Sequence, residues 1–186
     1  MTSTMRRTIT TAGDRYRAAT LDLVQQVFAA HKDAAEGALV RRLVEEIRGR
    51  RYYVPELDLV MVNEADDVIG CALFSRFHLE GRYEDRLLLL SPVAVRTELQ
   101  RTHISKELLE EGFARAAALG FRAVIVEGDP ANYRARGFES AFLHGITPSA
   151  GLRLPRPECL MVRELAAGAL RGIHGELDYA FYDALR

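Results

Sequence analysis

LLLLSPVAVRTELQRTHISKELLEEGFARAAALGFRAVIVEGDPANYRARGF, residues Leu87 to Phe138, is the stretch whose reading decides the fold. Leu87 to Leu90 and Val93 to Val95 form an apolar run too short to cross a membrane. It is split by Ser91-Pro92, where proline withholds one ladder hydrogen bond. A central strand disturbed at that point is expected to splay from its neighbour. From Gln100 to Lys106 the chain leads into a helix whose apolar positions Ile104, Leu108, Leu109, Phe113, Ala116 and Ala117 recur at three- and four-residue spacing, and which stops at Gly120. The turn therefore presents a helix N-terminus. Its unpaired N–H groups and the positive end of the helix dipole suit a phosphate. Ala123 to Val126 follows as a second buried strand, which the helical crossover makes parallel to the first.

Beyond that strand come Gly128-Asp129-Pro130 and Tyr133, four residues before Gly137-Phe138. Strand, Gln100-Arg101-Thr102-His103-Ile104-Ser105 turn, helix, strand and tyrosine loop together resemble the GNAT superfamily of N-acyltransferases, especially its bacterial branch with a Gly-Asp-Pro loop before the tyrosine. The match rests on Val93-Ala94-Val95, Gln100, Ile104, Gly128-Asp129-Pro130 and Tyr133 to Phe138. It covers the central third of the chain strongly and the rest through element order.

The resemblance implies an α/β fold: a GNAT-like, α+β mixed central sheet, splayed between its fourth and fifth strands, with helices on both faces. It also implies an acetyl-CoA-dependent N-acetyltransferase acting by direct attack of a primary amine in a ternary complex. Main-chain atoms of Val93, Ala94 and Val95 would hold the pantetheine arm and the acyl carbonyl. Gln100, Arg101, Thr102, His103, Ile104, Ser105 and Lys106 would take the pyrophosphate, with Asn132 and Tyr133 completing the cofactor side. Tyr133 matches the family's usual proton donor. On the bland reading the valines are core residues and Tyr133 a packed aromatic with a hydrogen-bonded tip.

Two departures stand out. The family's turn has glycines where this chain has His103 and Ser105; glycine lets pyrophosphate oxygens approach the backbone. An imidazole there either obstructs the approach or, with the Ser105 hydroxyl and the charges of Arg101 and Lys106, donates to phosphate. Retained binding is the expectation. Asn132 stands where the branch often has a first tyrosine.

Amine acylation also needs a base, for which Glu127 at the strand end and Asp129 in the loop are the candidates. The alternatives are an arginine partner for Glu127 and, for Asp129, a cap on the short helix starting at Pro130. Asp129 is expected to be the cap. His31, His78, His144 and His174 show no ligand spacing, so no metal is expected. Ser91 lacks the setting of a nucleophile, so no acyl-serine intermediate is expected.

The rest of the chain fits one domain over residues 1–186. With 186 residues and 48% apolar content, it can bury roughly 70% of its unfolded surface. Net charge is −1 from 25 basic and 26 acidic residues, so neither nucleic acid nor a membrane is expected as partner. Arg6-Arg7 and Arg48 to Arg51 read as solvated element ends. Cys71 and Cys159 read as buried free thiols. No apolar run of about 18 residues occurs, and MTSTMRRTIT lacks an apolar leader segment, so a cytoplasmic location follows. Expected elements are a strand at Thr8 to Thr10, a helix capped by Asp14 and running to Ala30, and a helix from Glu36 to Arg48. Strands follow at Asp58 to Asn63, Val68 to His78, Glu84 to Val95, Phe142 to Ile146 and Leu160 to Leu165. The acceptor, a small-molecule or peptide amine, and the choice between monomer and homodimer are not legible. Two other readings compete: a non-catalytic acyl-CoA-binding regulatory module, and an interaction protein that has lost CoA binding.

Overall fold

Leu59, Val60, Met61 and Val62 are all buried. Successive strand residues point to opposite faces, so a continuous buried run means a sheet covered on both sides. The computed structural model describes residues 6–186; the first five, part of the stretch read for a leader, lie outside the described residues. Among the described residues the elements are β1 (Arg7–Thr11), α1 (Arg17–His31), α2 (Ala34–Arg48), β2 (Asp58–Asn63), β3 (Val68–Leu79), β4 (Arg82–Val95), α3 (Ile104–Ala118), β5 (Ala123–Glu127), α4 (Pro130–Tyr133), β6 (Glu139–Ser140), β7 (Ile146–Pro148), β8 (Leu160–Glu164) and β9 (Gly175–Leu177). Seven strands share one sheet in the order β1-β2-β3-β4-β5-β8-β6, and β7 and β9 form a separate parallel pair. Chain contacts divide the molecule into two compact units, Met1–Phe74 with Pro92–Gly112, and Ser75–Ser91 with Phe113–Arg186.

In the first unit, β1 runs antiparallel to β2 and β2 antiparallel to β3, with a register shift between Met61 and Val62. Helix α2 is capped by Asp33, whose carboxylate accepts from the Glu36 N–H at 2.8 Å. Helix α1 departs from expectation, because Asp14 is not its cap. The helix starts at Arg17 behind Tyr16, and no side chain bonds its end. Arg48 is a second correction. It is no solvated end: its side chain and that of Asp58 are each 1% exposed, with Nε–Oδ2 at 2.8 Å and Nη2–Oδ1 at 3.1 Å. Tyr53 donates to the same carboxylate at 3.0 Å. A bidentate pair with a third hydrogen bond is what lets two charges be buried at all. Gly70 serves a different need. A Cβ there would stand 2.6 Å from Ile104 Cγ2 and 3.2 Å from Leu108 Cδ1, so glycine lets α3 seat directly on β3.

In the second unit, β5 pairs parallel with β4, as the crossover requires, through Leu87↔Ala123, Leu88↔Val124 and Leu89↔Ile125. That register ends at Leu89, just before Ser91-Pro92, although β4 continues to Val95. The interrupted pairing expected at the proline is therefore present. On the other side β5 runs antiparallel to β8, Glu127 facing Leu160. Phe142 to Ile146 is not a strand. Residues Ala141–His144 make a 3₁₀ turn closed by Gly145 at φ +69°, and only Ile146–Pro148 is extended. The positive φ, which favours glycine, breaks the extended run that apolar content alone suggests. Cys71 and Cys159 are buried free thiols.

Candidate active site

The turn before α3 belongs to the first unit. Thr102 Oγ1 donates to the Leu99 carbonyl at 2.6 Å and the Glu107 N–H closes onto the His103 carbonyl at 3.0 Å. Arg101 and His103 both take left-handed backbone, φ +64° and +68°. His103 stands where the resembled motif has glycine, so the backbone keeps the glycine conformation although the side chain is an imidazole. Histidine is among the residues better able to occupy this region, at a cost of order 1 kcal/mol. Arg101, Thr102, His103 and Lys106 are exposed, Ser105 is half-buried, and Ile104 is buried against Gly70. The first N–H groups of α3 have no acceptor within the helix, by the geometry of any helix start.

Arg7, read with Arg6 as a solvated element end, is instead half-buried and engaged across the chain. From β1 it donates to the Thr102 carbonyl at 3.1 Å and grips Glu107 with two guanidinium nitrogens, Nε at 3.1 Å. It thus fixes both the turn and the first turn of α3. No local signal reveals a partnership across 100 positions. Val93 is half-buried, while Ala94 and Val95 are buried, so their side chains serve the core. The Arg96 N–H beyond them donates to the Ile69 carbonyl at 3.0 Å.

The tyrosine loop belongs to the second unit. Asp129 caps α4 as expected: its carboxylate accepts from the Ala131 N–H at 3.0 Å, and its carbonyl from Asn132 and Tyr133 at 2.9 and 3.2 Å. Asn132 is exposed. The Tyr133 ring lies over Gly128 and packs edge-on to Phe138 at 5.4 Å, itself 5.8 Å from Phe113. Gly137 carries φ +79°, and a Cβ there would sit 2.6 Å from a guanidinium nitrogen of Arg163, which lies over the Phe113 ring. Burial raises the Tyr133 phenol above the ordinary tyrosine pKa and Arg136 partly opposes it. The phenol is therefore protonated at neutral pH.

Among the described residues, Glu127 is not paired with an arginine. It accepts instead from the Tyr179 hydroxyl at 3.1 Å. Although it keeps an exposed edge, desolvation raises its pKa, against a lowering by the Tyr179 hydrogen bond. A carboxylate shifted upward is a better proton acceptor than an ordinary one. Tyr179 too escaped the sequence reading, since it lies in the tail after β9. Among the described residues, no group of three or more His, Cys, Asp or Glu side chains could hold a metal ion, and no helix is long and apolar enough to cross a membrane.

The acetyltransferase (GNAT) family model matches residues 24–139, more than half of the chain and all of the turn, α3 and the tyrosine loop. The chain belongs to the GNAT acetyltransferase family. It is 31% identical over 140 residues, 74% of this chain and 79% of the relative, to an uncharacterized N-acetyltransferase, YhbS, of Escherichia coli K12. Among solved structures, YhbS from E. coli in complex with CoA superposes with a TM-score of 0.81 at 24% identity, covering 96% of this chain and 92% of that one. A GNAT family acetyltransferase from Brucella melitensis in complex with acetyl-CoA gives a TM-score of 0.69 at 21% identity, covering 98% and 99%. These likenesses agree with the mixed sheet and its parallel β4–β5 pair as the GNAT fold.

Proposed function

We propose that this GNAT acetyltransferase uses acetyl-CoA to acetylate a primary amine by direct attack in a ternary complex, residues 1–186 acting as one catalytic domain. The observation that carries the reading is the turn before α3, whose His103 keeps φ +68° where the family motif has glycine. The cofactor complexes of YhbS and of the Brucella protein support acetyl-CoA as the donor. The pyrophosphate is assigned to the N-terminal N–H groups of α3, with Gln100, Arg101, Thr102, His103, Ser105 and Lys106 as the flanking groups and Ile104 as the buried anchor. Asn132 and Tyr133 complete the cofactor side.

In the mechanism, the acceptor ammonium first gives a proton to Glu127. The amine lone pair then attacks the thioester carbonyl carbon. The carbonyl oxygen gains charge and is stabilised by main-chain N–H groups from Val93 to Val95, where β4 has left its parallel partner. Collapse re-forms C=O and breaks the C–S bond; the CoA thiolate takes the Tyr133 proton, and the nitrogen sheds its second proton, which returns through solvent to the Tyr133 phenolate and leaves the neutral amide. The high phenol pKa keeps that proton in place until the thiolate appears. The two free cysteines and use of acetyl-CoA fit a cytoplasmic enzyme.

Thiol release from acetyl-CoA with a panel of primary amines tests the reading. Tyr133→Phe keeps the ring and its packing, so it should slow transfer about a hundredfold, the low end for general acid catalysis, and leave acetyl-CoA affinity unchanged. A chemical step within about twofold of wild type would return Tyr133 to a packing role. Acetyl-CoA binding without thiol release for any amine would favour the regulatory module.

A further inference from the structure

The chain departs from a bare catalytic carboxylate at Glu127, because the C-terminal segment supplies it with a phenol. Tyr179 follows β9, 52 positions after Glu127, and donates to Oε2 at 3.1 Å. Its ring is held in an aromatic group: Phe77 lies 6.0 Å from it edge-on, Phe181 packs 5.4 Å from Phe77 and 4.4 Å from His78, and Tyr182 is fully buried. Asp178 fixes the entry to the segment by accepting from the Ala180 N–H at 2.9 Å. Tyr179 is therefore anchored on both sides, and its hydroxyl has a defined place.

Among the described residues Tyr179 is the one side-chain partner of Glu127, and no cation neutralises the carboxylate. The residue facing Glu127 across the sheet, on β8, is the apolar Leu160. The nearby Asp129 is engaged at the α4 cap and stands 4.0 Å from Arg156. On the tail, the titratable groups besides Tyr179 are Asp178, Tyr182, which acts on Tyr179, Asp183 and Arg186, whose guanidinium is engaged by Asp183 at 3.3 Å and by the Ala180 carbonyl. The Glu127 carboxylate responds to desolvation and to Tyr179. With Oε2 taken by the phenol, Oε1 is open to a proton donor.

We propose that Tyr179 is a positioning residue for the acceptor site: its hydroxyl fixes the Glu127 carboxylate and keeps it ionised, so that Oε1 receives a cationic primary ammonium and takes its proton. The inference rests on Glu127 as the base of the acetyl transfer. The proton passes from ammonium nitrogen to Oε1 and on to solvent; no bond other than N–H and O–H changes. Losing the phenol removes the one interaction that stabilises the charged carboxylate, so its pKa must rise.

The direct test is a pH titration of Glu127 by NMR in the full chain labelled with carboxyl-¹³C glutamate, the resonance assigned by its loss in Glu127→Gln. Tyr179→Phe keeps the ring against Phe77 and should move the Glu127 midpoint further up. The acid limb of thiol release should move up with it, using the amine from the panel that reacts fastest. An unshifted midpoint in a folded Tyr179→Phe overturns the inference. Should that variant not fold, wild type labelled at tyrosine ¹³Cζ gives the answer: the Tyr179 signal should follow Glu127 ionisation, and a flat signal overturns the role. Glu127→Gln separates the two readings. If it slows transfer while Tyr179→Phe leaves the midpoint alone, only the Tyr179 role falls; if it leaves transfer unchanged, the base reading falls and takes the positioning role with it.

Discussion

Gly128 has no side chain because the Tyr133 ring occupies the space: a Cβ at 128 would stand 2.8 Å from Tyr133 Cδ2 and closer still to Cε2. The glycine before Asp129-Pro130 is thus a packing partner of the tyrosine. Gly128→Ala should push the ring aside at a cost of about 1–3 kcal/mol. Transfer should fall toward the Tyr133→Phe rate, while acetyl-CoA affinity changes little. Stopped-flow acetyl transfer on both variants checks this; a full rate in Gly128→Ala would show that the ring position does not matter to the chemistry.

The turn before α3 makes a separable claim about His103. Its φ of +68° costs nothing for glycine and is strained for alanine. If the imidazole donates to pyrophosphate, both His103→Gly and His103→Ala should weaken acetyl-CoA binding, with only the glycine variant keeping wild-type thermal stability. If the imidazole crowds the site, His103→Gly should bind at least as tightly as wild type. We expect weakening, read by calorimetric titration.

Gly70 tests how the cofactor turn is seated. Its missing Cβ would lie 2.6 Å from Ile104 Cγ2 and 3.4 Å from the Ala94 carbonyl. Gly70→Ala must therefore displace the first turn of α3 or the end of β4. It should lose about 1–3 kcal/mol of stability and also weaken acetyl-CoA binding. Gly151→Ala, where a Cβ meets nothing within 4 Å, is the matched control and should leave binding unchanged.

Much of this was legible in local pattern. The three- and four-residue apolar spacing found α3, the alternation and apolar runs found β2 to β5, and Ser91-Pro92 marked where the β4–β5 register stops. What escaped is what depends on partners far along the chain. Arg48 reads as one of several surface arginines until Asp58 is beside it, and Arg7 gives no hint of Glu107. Glu127 invites an arginine, and the phenol it meets comes from the segment with the weakest periodicity. Asp14 has the right residue type for a cap, but a cap needs backbone geometry three residues on, and there Tyr16 and Arg17 begin the helix. Side-chain type proposes a role; distant packing decides it.

The buried tyrosines fix an alkaline limit. Tyr53 is pushed up to about 12, mainly by burial and then by Asp58, and burial likewise raises Tyr133 and Tyr179. Cys71 is also pushed up to about 12 by burial. In the unfolded chain a cysteine loses its proton near about 8.5 and tyrosines near about 10. Above those values the folded state holds more protons than the unfolded one, so stability falls as pH rises until the folded groups themselves ionise. Urea midpoints should decline from about pH 8.5 and more steeply beyond about pH 10. Tyr53→Phe should make the steep part shallower, and flat midpoints through this range would contradict the account.

The central claim is that the folded chain holds acetyl-CoA, and titrating the cofactor while following thermal unfolding tests it most directly. A ligand that binds only the native state stabilises it by roughly 2.7 kcal/mol at about a hundred times its dissociation constant. The account predicts a saturable rise in the unfolding midpoint with acetyl-CoA that His103→Gly weakens. An unfolding midpoint that does not move at millimolar acetyl-CoA would contradict it.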